Sequence, residues 1–344
     1  MTVPPAVDST RTAVSPGLPQ ARGALSASLV AVLSGRESTL PSDADIRRTD
    51  PYGDDLQLVL YALYELHYRG FAGVADELEW HPGLLRVRAA AEAVFLRALR
   101  EDTAGGSDVQ QSVDALLVEP VGDGGQSVSH YLQREGALWQ LREYAVLRSL
   151  YHLKEADPHL WVVPRLRGRA KAAMVAIEFD EFGAGRAENI HARLFADLMA
   201  DLGLDPAYGT YLDLAPAEVL ATVNLMSLFG LHRSLRGALV GQFTTVEVTS
   251  SPGSRRLAKA LRRAGAGKAA QRFYDEHVEA DAVHEQVVRR DVLGGLLKDE
   301  PHLAPDIVLG IQTTEHLEDR LAGHLLSAWR KGATALRTPA TSTV

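Results

Sequence analysis

The sequence contains no cysteine among its 344 residues. This absence excludes disulfides, cysteine-ligated iron–sulfur clusters, thiolate-bound haem and cysteine nucleophiles. Any metal ion that the side chains bind must therefore be held by histidine and carboxylate groups, which suit iron, manganese or zinc.

Long apolar runs and a basic excess are missing as well. No run of about 18 apolar residues occurs, so no transmembrane helix is predicted. Residues 1–25 lack the compact apolar core of a secretory signal, and we expect a cytoplasmic protein. The formal net charge is −8, and the basic run at 255–268 is typical of the outer face of a helix. Neither a nucleic acid nor a membrane is therefore expected as a partner.

Alternating strand patterns are almost absent, and QFTTVEVT at 242–249 is the one stretch that resembles a strand. Apolar residues at helical spacing recur instead along the chain. The helical patterns cover 55–70, 84–102, 137–157, 164–183, 188–205, 216–250, 268–300 and 305–332. These patterns predict an all-α protein, a multi-helix bundle that forms a single domain over residues 46–340.

Two segments depart from the regular helical pattern. Residues 1–45 are rich in Pro, Ser, Thr and Gly, which favours a flexible arm with a short helix near SASLVAVLSG. The pattern at 216–250 is unusually long and contains Gly230, Gly237 and Gly241. Glycines inside a helix predict either a bend or the close approach of another segment.

The segment HVEADAVH places His277, Asp281 and His284 at positions i, i+4 and i+7. On an α-helix these side chains fall within an arc of about 60° and form one polar stripe two turns long. A solvated helix face and a metal site are the two interpretations of such a stripe.

Glu247 is the only charged residue between Arg236 and Arg255. A carboxylate in so apolar a stretch is expected in the interior, where an unpaired negative charge costs several kcal/mol. Glu247 should therefore be neutral, paired with a base or helix end, or bound to a metal.

The acidic segment IEFDEFGAGRAENIH offers two different partners for His191. Glu188 and His191 form the i, i+3 pair with which ferritin-like bundles bind iron. Glu181 lies ten residues before His191, with Gly183 and Gly185 between them. Because glycines loosen a helix, Glu181 could reach the same site from a distorted turn.

Several motifs in one order resemble the haem-oxygenase-like di-iron oxidases and oxygenases, also called iron-containing redox enzymes. The motifs are EADPH, DEFGAGRAENIH, NLMSLFGLHRSLRGALVG, VEVTSS and HVEADAVH, and the resemblance covers roughly residues 137–300. It implies a fold like that of haem oxygenase without haem, two Fe(II) ions as cofactors, and O₂ as a co-substrate.

The resemblance also implies a set of metal ligands, carried over residue by residue. Six positions match the family pattern, and they are Glu155, His191, Glu247, His277, Asp281 and His284. The subset that oxidises amine nitrogen has a further glutamate ten residues before the histidine of the second core helix, and Glu181 occupies that position. Relatives with an ExxH pair on that helix would point to Glu188 instead. No catalytic residue beyond the metal ligands is predicted.

The activity implied by the resemblance is O₂-dependent N-oxygenation of a small amine, amino acid or nitrogen heterocycle in specialised metabolism. The reaction is N-hydroxylation, with onward oxidation to nitroso or nitro groups. Oxidative C–C cleavage or desaturation of a fatty or amino acid is the alternative with the same metal site. A zinc hydrolase, a haem-binding bundle and a non-catalytic helical interaction protein are further alternatives.

The expected partners are a small amine-type substrate and an external electron donor, with a homodimer as the candidate assembly. Arg233 and Arg236 lie among apolar residues in the long helical pattern, where either could bind a substrate carboxylate. A structural ion pair with an acidic neighbour is the alternative for both.

Overall fold

The computed structural model describes residues 15–37, 39–118 and 127–338. Over these ranges the chain is helical and contains no β-strand, which confirms the predicted all-α class. The described residues form two compact units. Unit 1 is drawn from 1–101, 207–224 and 336–344, and unit 2 from 102–206 and 225–335. The predicted single domain over 46–340 includes parts of both units.

The α-helices are numbered in chain order. They are α1 (Ala24–Leu33), α2 (Asp43–Arg47), α3 (Asp54–Glu65), α4 (Pro82–Glu101), α5 (Val109–Leu116), α6 (Val128–Arg134), α7 (Leu138–His152), α8 (Asp157–Leu160), α9 (Gly168–Glu181), α10 (His191–Asp201), α11 (Ala217–Leu231), α12 (Arg236–Arg263), α13 (Lys268–Val287), α14 (Gly294–Asp299) and α15 (Ala304–Trp329). Within the described ranges, no helix has both the length and the apolar character needed to cross a bilayer.

Unit 1 contains the described part of the predicted N-terminal arm. Helix α1 lies where SASLVAVLSG predicted a short helix, and its Leu29 is fully buried. The carboxylate of Asp55 accepts hydrogen bonds from the backbone N–H groups of Leu25 and Ser26, at 2.9 and 2.8 Å. Because these N–H groups have no partner inside the helix, Asp55 ties α1 to α3. Residues 1–14 of the predicted arm lie outside the described residues.

The helical pattern at 216–250 folds as two helices rather than one. Helix α11 ends at Leu231, a 3₁₀ turn follows at Arg233–Leu235, and α12 then runs past Pro252 to Arg263. The strand-like stretch QFTTVEVT is therefore helical. Its β-branched polar residues fit the helix because the Thr244 and Thr245 hydroxyls donate to the carbonyls four residues earlier, at 2.8 and 3.0 Å.

The glycines of α12 allow α15 to approach closely. Close approach of another segment was one of the two expectations for glycines in this part of the sequence. A Cβ atom added at Gly241 would lie 2.1 Å from the backbone oxygen of Ile307. A Cβ at Gly310 of α15 would lie 2.0 Å from the backbone oxygen of Ala238. The two helix backbones thus touch at a glycine on each side, and this crossing fixes the helix that carries Glu247.

Candidate metal centre

The predicted ligands converge in the interior of unit 2. Two groups of side chains each bring their potential ligand atoms within 4.8 Å of one another. The first group is Glu155, Glu181, His191 and His277, and the second is Glu181, Glu247 and His284. Asp281 adjoins the second group, since its Oδ1 lies 3.7 Å from Nδ1 of His284. We call these seven residues the carboxylate–histidine cluster.

The cluster is closed to solvent. Each of its seven residues is between 2% and 6% exposed. The stripe formed by His277, Asp281 and His284 along α13 is therefore a buried face, and the solvated interpretation of HVEADAVH is wrong. Burying four carboxylates beside three imidazoles costs free energy unless positive charge, from protons or metal ions, compensates the carboxylates.

Glu181 belongs to both groups because of a tight reversal of the chain. It is the last residue of α9, and His191 is the first residue of α10. Between them Gly183 has φ of 73°, and a Cβ there would lie 2.7 Å from the backbone nitrogen of Ile190. This reversal brings Oε2 of Glu181 to 2.7 Å from Nδ1 of His191. Glu188 lies on a 3₁₀ turn in the reversal, is exposed, and is in neither group.

Glu155 enters the cluster from the turn after α7 rather than from a helix. Its Oε2 lies 3.0 Å from Nδ1 of His152 and 3.8 Å from Nε2 of His277. Burial alone would raise the pKa of Glu155, but these two imidazoles lower it well below its usual value. The ring of His152 packs against Phe195, with ring centroids 4.7 Å apart. His152 thus holds the carboxylate of Glu155 in position.

Two of the imidazoles are oriented by an acceptor behind them. Nδ1 of His277 lies 2.7 Å from the carbonyl oxygen of Phe273, and Nε2 of His284 lies 3.3 Å from Oδ2 of Asp180. A carbonyl and a carboxylate can only accept, so these nitrogens carry the protons. Once a metal ion displaces the second proton, the opposite nitrogen of each ring has a lone pair directed at the cluster. Metal-binding histidines are held in this way.

Many atoms of the cluster are close together and yet lack hydrogen-bond partners. Five such buried atoms have no partner among the described residues, and they are Nδ1 of His191, Oε2 of Glu247, Nε2 of His277, Oδ2 of Asp281 and Nδ1 of His284. Some of their separations are too long for a hydrogen bond, such as the 3.8 Å between His277 and Glu155, and others are poorly directed, since even the 2.7 Å contact between His191 and Glu181 leaves Nδ1 unsatisfied. Ligand atoms that lie close together without hydrogen bonding to one another are expected where they bind a common metal ion. Carboxylate oxygen and imidazole nitrogen ligands suit iron.

Comparison with known protein families gives a match over the part of the chain that contains this site. The model of a family described as iron-containing redox enzymes matches residues 142–319, which is more than half of the chain. The chain belongs to the iron-containing redox enzyme family. The resemblance drawn from the motifs is thereby confirmed, and the protein is an oxidoreductase with a site for iron. The matched range contains all seven residues of the cluster. No curated protein matches the chain.

The charges in this iron-containing redox enzyme are arranged to receive cations. The pKa of Glu247 is raised to about 8, chiefly by burial; Asp281 and Glu181 also raise it, and His284 lowers it. Burial would lower the pKa values of the two imidazoles, but neighbouring carboxylates raise that of His277 to about 10 and that of His284 to about 11. In metal-free protein, protons therefore compensate the carboxylates, and a metal ion must displace them.

The two predicted arginines lie apart from the cluster. Arg236 is paired with Glu300, with Nε of the arginine 3.3 Å from Oε1 of the glutamate, and Arg233 is exposed. Arg236 begins α12, eleven residues before Glu247, which corresponds to about 16 Å along a helix. The ion pair is the alternative that the sequence left open for Arg236, and these contacts lend no support to a substrate-binding role.

Three residues around the cluster were not predicted to have a role. His152 contacts Glu155, Asp180 contacts His284, and Glu178 is buried one turn before Glu181 on α9. Each of the three lies within three residues of a predicted ligand along the chain, and this short separation was the signal that the sequence offered. Proximity alone could not show which of the neighbouring acidic and imidazole groups faces inward.

Proposed function

We propose that the protein is a non-haem di-iron oxygenase that uses O₂ to oxidise the nitrogen of a small amine, amino acid or nitrogen heterocycle. The reaction is N-hydroxylation, with onward oxidation to nitroso or nitro groups, as a step of specialised metabolism. The observation that carries this proposal is the position of Glu181, whose carboxylate belongs to both groups of ligand atoms.

A shared carboxylate favours two neighbouring metal positions. Glu155, His191 and His277 would hold one iron, Glu247, Asp281 and His284 the other, and Glu181 would contribute to both. Three protein ligands and a shared carboxylate would leave room on each ion for O₂ and substrate to bind. When bound, the two Fe(II) ions supply the electrons that activate O₂, and an external donor would return them to the reduced state.

The side chains of the enzyme exclude bulk water from the metal centre and orient its ligands. Cluster residues no more than 6% exposed exclude bulk water from the site. The four carboxylates balance the charge of two divalent ions, so that the loaded centre is close to neutral. His152 and the carbonyl of Phe273 fix the ligands of the first group, and Asp180 fixes His284 of the second.

The choice of nitrogen as the atom oxidised is supported by Glu181. This residue stands at the position of the extra glutamate that distinguishes the N-oxygenating subset which the chain resembles. Its burial and its 2.7 Å approach to His191 are those expected of a ligand rather than of a chance match in an acidic segment. Oxidative C–C cleavage and desaturation use a similar centre and are the competing outcomes.

Anaerobic titration with Fe(II), followed by mixing with O₂, tests the proposal. We expect about two irons per chain and a transient visible absorption after O₂ is added. Glu247→Gln should abolish the transient, whereas Glu188→Gln, a change on an exposed residue of similar chemistry, should leave it intact. Incubation with amines and with fatty and amino acids should then give hydroxylamine, nitroso or nitro products. Alkenes or aldehydes instead would assign the alternative reaction, and zinc or haem in the purified protein would contradict the iron centre.

A further inference from the structure

Glu178 is a buried carboxyl group that the metal centre does not use. It is 2% exposed, and neither of its carboxylate oxygens has a hydrogen-bond partner among the described residues. It belongs to neither group of converging ligand atoms. An unpaired carboxyl group costs several kcal/mol in an interior, so a partner for it is expected in the working enzyme.

Glu178 lies on the side of α9 that also carries Glu181. It lies one turn before Glu181 on α9, and residues three apart share a helix face. Burial raises the pKa of Glu178 well above its usual value, and the charges of Glu181, Glu247 and Asp157 raise it further, while His284 lowers it. Burial raises the pKa of Tyr151, at the end of α7, and the charges of Glu155, Glu181, Glu178 and Glu247 raise it further. Glu178 therefore lies in the same electrostatic environment as the cluster.

Charge balance indicates what kind of partner is missing. The carboxylates of Glu155, Glu181, Glu247 and Asp281 offset the four positive charges of two Fe(II) ions. If ionised, Glu178 would be a fifth carboxylate with no positive charge to offset it, which agrees with its raised pKa. A third metal ion is disfavoured, because one carboxylate outside the ligand groups supplies too few donors. A monovalent organic cation with N–H donors matches a single carboxylate in both charge and hydrogen bonding.

We propose that Glu178 binds the cationic nitrogen group of the substrate, an ammonium or a guanidinium, beside the metal centre. This inference rests on the proposed function, because it supplies the residue that would bring the nitrogen to the place of oxidation. It narrows the substrate from amine-type molecules in general to those that carry a positive charge on or next to the nitrogen that reacts.

The test uses protein loaded with Mn(II) under anaerobic conditions, so that binding is measured without turnover. Calorimetry would compare butylguanidinium, butylammonium, butanol and butyrate as probes. Wild-type protein should bind at least one of the two cations at least tenfold more tightly than butanol, and the stronger of the two identifies the nitrogen group. Glu178→Gln should reduce that affinity at least tenfold, leave butanol binding unchanged and still take up two Mn(II) ions. Glu188→Gln is the matched control and should behave as wild type.

Four outcomes would overturn the inference, and they are distinguishable. Loss of Mn(II) from the folded Glu178→Gln protein would make Glu178 a metal ligand. A cation preference that survives in Glu178→Gln, or is absent from wild-type protein that holds two Mn(II), would show that Glu178 is not the anchor. Failure of wild-type protein to bind two Mn(II) ions would overturn the proposed function and this inference together. Circular dichroism and thermal unfolding confirm that each variant is folded.

Discussion

Asp180 accepts a hydrogen bond from Nε2 of His284 at 3.3 Å, on the side of the ring opposite the cluster. The side chain of Asp180 is 56% exposed, whereas that of His284 is 3% exposed. A partly exposed carboxylate thus holds a buried ligand in the tautomer that directs Nδ1 toward Glu181 and Glu247. Such partners behind a metal-binding histidine typically contribute about 10- to 100-fold to metal affinity.

We therefore predict that Asp180→Asn weakens binding of one of the two metal ions by about tenfold or more. The effect should fall on the ion held by Glu247 and His284, since Asp180 does not contact the other group. Chelator competition with Mn(II) would resolve the two affinities. Glu188→Gln, on the exposed 3₁₀ turn Ala187–Asn189, should change neither. Equal weakening of both sites would contradict the assignment of Asp180 to His284.

His152 is predicted to orient the ligand Glu155, as Asp180 orients His284. His152→Phe keeps an aromatic ring against Phe195 but removes the nitrogen that lies 3.0 Å from Glu155. The first of the two ions, bound with His191 and His277, should then bind about tenfold more weakly. The same chelator assay measures this, and unchanged affinity would show that His152 serves only in packing.

The crossing of α12 and α15 at Gly241 gives a prediction about stability. Gly241→Ala places a methyl group 2.1 Å from the backbone oxygen of Ile307, and the forced separation should lower the free energy of unfolding by about 2–3 kcal/mol. Gly253→Ala, in the same helix, has nothing within 4 Å of the new Cβ and should instead be neutral or stabilise by up to about 1 kcal/mol. Urea unfolding measures both. Similar effects of the two substitutions would contradict the close approach.

Metal binding should strengthen as pH rises. At pH 7 the raised pKa values of Glu247, His277 and His284, about 8, 10 and 11, keep protons on the metal-free cluster. Displacing at least one proton per ion makes affinity rise at least about tenfold per pH unit between pH 6 and 8. Chelator competition for Mn(II) at pH 6, 7 and 8 measures this, and affinity independent of pH would contradict the proton-holding cluster.

The same groups should make the metal-free fold less stable at high pH. A histidine whose folded pKa is raised contributes stability that is complete below its unfolded value near 6.5 and is lost as pH rises toward its folded value. The stabilisation from His277 and His284 therefore declines from pH 7 toward pH 10–11. Metal binding strengthens as pH rises, so the difference in Tm between metal-loaded and metal-free protein should widen from pH 6 to pH 8. A difference that narrows would reverse the expected sign.

Spacing along one element allowed the helical class and the stripe of His277, Asp281 and His284 to be predicted, whereas the full set of seven ligands was implied by the family resemblance. His277, Asp281 and His284 lie on one helix, so their common face follows from helical geometry alone. The break of the 216–250 pattern after Leu231 depends on packing within the fold, and the pattern of apolar residues continues through it. Local periodicity could therefore not locate that break.

The choice between Glu181 and Glu188 shows the same limit within the site. Both glutamates have sequence separations from His191 that are compatible with a shared metal site. Only the reversal at Gly183 determines which carboxylate is turned inward. Positive φ at a glycine is possible in any sequence that contains one, so the motif predicts a loosened segment without giving its path. Asp180 and His152 were hidden for a related reason, because hydrogen bonds between elements have no signature in sequence spacing.

Anomalous diffraction at the iron edge, from crystals loaded anaerobically with Fe(II), tests the shared position of Glu181 most directly. Two strong peaks within bonding distance of the Glu181 carboxylate are predicted. One peak should lie beside Glu155, His191 and His277, and the other beside Glu247, Asp281 and His284. A single peak, or peaks that leave Glu181 uncoordinated, would contradict the di-iron centre.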